Sequence, residues 1–67
     1  MLTAAAVRFV LSQILTEADA LATIVSELSP DATKDDSLAV IDATRDCLAT
    51  MQGFADIAEL AAIDIQD

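Results

Sequence analysis

Hydrophobic residues recur at the spacing of a helix face in two stretches of this chain, separated by a short polar break. From Ala4 onward, Val7, Leu11, Ile14, Ala18, Leu21, Val25 and Leu28 follow alternating steps of four and three residues. That spacing keeps one stripe of an α-helix against a neighbouring helix at a shallow angle. Thr3 stands where an N-cap belongs, because its hydroxyl is able to accept a hydrogen bond from a free N–H of the first turn. The pattern predicts a helix over residues 4–28, about 37 Å long at 1.5 Å per residue.

The second stretch repeats the rhythm through Val40, Thr44, Cys47, Met51, Phe54, Ala58, Ala61 and Ile65, with Ile41, Leu48, Ala55 and Ala62 widening the stripe. Thr44 is its polar member, and a threonine buried in a helix bonds back to the preceding turn. Gly53 costs about 1 kcal/mol relative to alanine inside a helix, so a break or a short third helix after it stays open. The hydrophobic phase runs through Gly53 unchanged, which favours one continuous helix over about residues 36–65. Between the stripes lies the break at residues 29–36. Pro30 disfavours helical geometry at Ser29, and Ser29, Pro30 and Asp31 together also make a good helix opening. Asp36 is a second candidate cap, so the turn is fixed more closely than the first residue of the second helix.

These elements predict a single all-α domain over residues 1–67, an antiparallel helical hairpin. Each stripe is wider than one neighbouring helix covers. On the first helix Val10, Leu15, Ala22 and Ile24 flank the seam, and burial of such flanks yields about 25 cal/mol per Å² of apolar surface. A homodimer forming a four-helix bundle is the simplest way to hide them, with a heteromeric partner as the alternative. Further apolar residues lie off the seam: Phe9 on the first helix, Leu60 and Ile63 on the second, and Ile57 at the seam's edge. In an antiparallel hairpin these four residues fall near the open end, where they are the candidate protein-interaction surface. Scattered surface apolar residues are the plainer account of them.

Composition narrows the chemistry. The chain has 67 residues, 12 acids against 3 Lys and Arg, no histidine, and a formal net charge of −9. Such a chain repels the phosphates of nucleic acid and an anionic membrane surface, while it suits a basic protein partner. Cys47 is a single thiol, which allows no internal disulfide, and it reads best as a small apolar core residue. Asp42 with Asp46, and Asp31 with Asp35, share helix faces, but on polar faces they read as solvated charge and not as a catalytic pair. No histidine-containing metal motif, phosphate loop or nucleophile elbow occurs, so no catalytic, metal or cofactor site is expected and the chain reads as a non-enzyme. No positively charged start of a secretory signal is present, and Arg8, Glu17 and Asp19 interrupt the first apolar stretch, which makes the cytoplasm the expected compartment and a membrane an unexpected partner.

Two short segments resemble known families. Asp36-Ser37-Leu38-Ala39-Val40-Ile41-Asp42 is similar to the Asp-Ser-Leu motif of acyl carrier proteins, and Val7 to Leu15 to their first helix. That resemblance implies a phosphopantetheine arm on Ser37. Thr33-Lys34-Asp35 stand where that family has a glycine before the motif, and the chain after Met51 is short for its third helix. Arg8 to Thr16 and Arg45 to Ala49 are similar to stretches of the plasmid Rop proteins, which are dimers of helical hairpins. This second resemblance implies RNA contact through Phe9 and Gln13, although the basic residues that should surround them are absent here. The reading that fits size, acidity and the lack of catalytic groups is a protein-binding regulator or inhibitor, of a character common in phages and plasmids. A carrier protein modified on Ser37 and a small structural subunit of a larger complex are its alternatives.

Overall fold

A computed structural model describes residues 3–65 as two α-helices packed against each other: α1 (Ala4–Ser26) and α2 (Lys34–Ile63). The architecture is the all-α helical hairpin that the spacing predicts, and both helix ends fall close to the expected positions. α2 passes through Gly53 without a break, so the hydrophobic phase outweighed the glycine's cost.

The caps differ from expectation. Thr3 takes the extended N-cap conformation, but its hydroxyl accepts nothing. Its carbonyl instead accepts from the N–H groups of Ala6 and Val7. At α2 the cap is Thr33, whose Oγ1 accepts from the Asp36 N–H at 3.1 Å. Ser29 uses its hydroxyl for the turn, accepting from the Asp31 N–H at 3.2 Å, and Asp36 lies inside the first helical turn beside Asp35. Those two acids sit against the positive end of the helix dipole, where negative charge is favourable.

The α2 seam is the one predicted. Val40, Thr44, Cys47, Met51, Phe54 and Ile65 are half-buried, and Ala58 and Ala61 are buried. Thr44 donates its hydroxyl hydrogen bond to the Val40 carbonyl at 2.8 Å, as a threonine in this position should. On α1 the contact face is rotated. Val7, Val10, Ile14, Glu17, Ala18, Leu21, Ile24 and Leu28 are half-buried, whereas Leu11 and Val25, expected in the seam, are 45% and 52% exposed. The apolar arc of α1 is broader than one helix covers, and the pairs Val10–Leu11 and Ile24–Val25 offer either edge of it equally.

Two alanines therefore make up the buried core of the described residues. The hairpin is long and thin, with extents of 53 × 15 × 10 Å and a radius of gyration of 15.9 Å. A compact domain of this length would have a radius of gyration of about 11 Å. The accessible surface is 5061 Å², against roughly 4,000 Å² for a compact monomer of this mass. The hairpin thus exposes about 1,000 Å² more than such a monomer.

Candidate functional site

Successive residues turn about 100° around a helix axis. In an antiparallel pair, residues one position after the seam project to the same side of the hairpin on both helices. Those one position before it project to the opposite side. The two sides of this hairpin differ in chemistry.

The first side is apolar. Leu11, Leu15, Ala18, Ala22 and Val25 each follow a seam residue of α1, and Leu38, Ile41, Leu48, Ala55 and Ala62 do the same on α2. Leu15 is 68% exposed and Leu48 51%, which is far from the state of an aliphatic core residue. The polar members of these two rows are Arg8, Arg45, Gln52 and Glu59, so a single acid lies within them, and Asp56 stands just outside, accepting from the Gln52 Nε2 at 3.1 Å. Arg45 also lies 3.9 Å from Asp42, an exposed ion pair that adds little stability.

The second side is mixed. Phe9 precedes Val10, while Ile57 and Leu60 precede Ala58 and Ala61, so these three apolar residues share a side near the open end. Phe9 is 67% and Leu60 66% exposed. Gln13 lies in the same row as Phe9 and is half-buried. The same side carries four acids along its length: Asp64 near the apolar group, Asp46 in the middle of α2, and Glu27 and Asp36 at the turn end. Ile63, expected in this group, follows Ala61 by two positions and so faces outward from α2. Sequence reasoning placed it with the others because it was judged against the seam and not against a side of the hairpin.

At the turn end a cleft of about 410 Å³ is lined by Ile24, Leu28, Ala39 and Val40 together with the carboxyl-bearing Glu27, Asp31 and Asp36. Sequence reasoning missed it, because the cleft exists only once the turn folds Asp31 back towards α2. Ser37 lies nearby in the first turn of α2, half-buried, with its hydroxyl donating to the Thr33 carbonyl at 2.9 Å. Cys47 is a free thiol within the seam.

By length and composition α1 also qualifies to cross a membrane. It carries Glu17 and Asp19 near its midpoint, and each acid at a bilayer centre costs about 2.5–3.5 kcal/mol.

The exposed faces thus define a class: a helical hairpin with an uncovered apolar side and an acidic one. No protein-family model, curated protein or solved structure matches the chain. The similarities at Asp36–Asp42 and Arg8–Thr16 rest on those short stretches alone.

Proposed function

We propose that the chain is a non-enzymatic protein-interaction module, two copies of which form a four-helix bundle that regulates or inhibits another protein by occupying its surface. The observation that carries this reading is the exposure of large apolar side chains. Ten of them among the described residues are at least 45% exposed, while only Ala58 and Ala61 are buried. Burial of that surface is the largest favourable free energy still open to the molecule.

The second protein meets the acidic side. Phe9, Ile57 and Leu60 supply an apolar centre there, of the kind that carries most of the energy of an interface. Glu27, Asp46 and Asp64 along the same side favour a basic partner through steering and complementarity. The cleft at the turn supports the same chemistry, since an aliphatic floor beside carboxylates suits the stem and head of a lysine or arginine.

The test uses the Phe9→Asp variant. Phe9 is two-thirds exposed in the hairpin, so helicity and unfolding midpoint should stay near those of the parent. Recovery of a specific protein from extracts of the source organism should fall at least tenfold. Equal recovery by parent and variant would remove the patch from the reading.

A further inference from the structure

We infer that the apolar side carrying Leu11, Leu15, Val25, Ile41 and Leu48 is the seam between two copies of this chain, laid face to face. This rests on the reading of the chain as self-associating, and it adds which surface is used and why a second copy fits it.

Three features select that occupant. The first is size. The broad face of the hairpin measures 53 by 15 Å, on the order of 800 Å² per copy, which is what a stable interface needs from each partner. It is also close to the surplus of surface that the hairpin carries over a compact monomer.

The second is charge. Each copy carries a net −9, so two copies approach only where acids are scarce. The apolar side meets that condition best: Glu59 is the single acid in its two rows, Arg8 and Arg45 stand in the same rows, and Asp42 at its edge lies beside Arg45. The opposite side, with Glu27, Asp46 and Asp64, would set like charges against each other.

The third is shape. On α1 the leucines, Leu11 and Leu15, occupy the open half of the face, and Ala18 and Ala22 the half nearer the turn. On α2 the order is reversed: Leu38, Ile41 and Leu48 lie towards the turn, and Ala55 and Ala62 towards the open end. Among the apolar residues the bulky ones thus lie along one diagonal of the face and the alanines along the other; Val25 departs from this order, and Gln52 and Glu59 stand among the alanines of α2. A two-fold axis in the plane of the interface, along the hairpin or across it, exchanges the diagonals. The leucine-bearing half of each helix then meets an alanine-bearing half of the other copy, the alternation that lets facing layers interdigitate. A lipid surface or an unrelated groove would call for no such pattern.

Sedimentation equilibrium across nanomolar to micromolar concentrations tests this on the full chain. The parent should sediment at twice the 7.0 kDa chain mass. Leu15→Glu and Leu48→Glu should each raise the dissociation constant at least 100-fold, while Leu60→Glu on the acidic side leaves it within threefold. Loss of helicity together with loss of the dimer in Leu15→Glu supports the inference too, because a side chain 68% exposed in the hairpin contributes little to its internal core. Ala22→Leu is the sharper test. It adds apolar surface at an exposed site, so an unspecific greasy face would associate more tightly, whereas the alternating seam predicts at least a tenfold weaker dimer. A parent dimer that Leu60→Glu dissociates and Leu15→Glu does not would overturn this face and leave self-association standing. A monomeric parent would overturn both, and a monomer that gains helix only on phosphatidylcholine vesicles would assign the face to lipid.

Discussion

Two residues show how local chemistry sets the helices, and each yields a measurable effect. Gly53 lies in mid-helix, and a Cβ built there meets nothing within 4 Å. Its backbone does not have positive φ, so glycine's freedom serves no conformational need at this position. Gly53→Ala should therefore stabilise the fold by about 0.5–1 kcal/mol, through a smaller entropy loss on folding. Chemical denaturation should record it as a higher midpoint with an unchanged slope. Thr33 acts in the opposite sense. Its Oγ1 satisfies the Asp36 N–H at the start of α2, and no other side-chain bond to that group is present among the described residues. Thr33→Ala should cost about 1 kcal/mol, whereas Ser29→Ala, which removes only a turn bond, should cost less.

At the scale of the helices, the seam is built on small residues at the open end. Ala58 and Ala61 are 5% and 9% exposed, and they follow the larger, half-buried Met51 and Phe54 along the seam. Ala58→Leu should force that end apart and cost about 1–3 kcal/mol, visible as a lower thermal midpoint. The same scale explains what the sequence revealed and what it left open. The α2 seam was legible residue by residue, because polar residues such as Asp42, Asp46 and Asp56 bound it clearly. The α1 seam was legible only to within one edge of its apolar arc. Val10 and Leu11 are both aliphatic, as are Ile24 and Val25, and the chosen edge brings Glu17 into the contact beside Ala18. Hydrophobic spacing alone would not select an acid. The turn likewise held two candidate caps, Ser29 and Asp36, and the folded path uses neither for α2, leaving Ser29 in the turn and giving the cap to Thr33. Of the four candidate interaction residues, Phe9, Ile57 and Leu60 come to one side. Ile63 does not, because two positions beyond a seam residue lead to the outside of the helix.

For the whole molecule the governing fact is surface. A 67-residue chain has a small core at best, and this one spreads over 53 Å with two alanines buried. Its helices are long, but helix formation by itself contributes little in water, and most helical stability in proteins comes from packing of an apolar face. If packing between copies supplies that stability, unfolding and dissociation are one event, and the melting temperature depends on concentration. For a pair of chains of this length, a tenfold dilution should lower the thermal midpoint by about 5 °C, given the usual enthalpy of unfolding per residue. Circular dichroism melts from 1 to about 100 µM, read against that slope, measure the effect directly. A midpoint that stays fixed over this range would mean that a single hairpin holds itself together. The uncovered leucines would then owe their place to something other than a second copy.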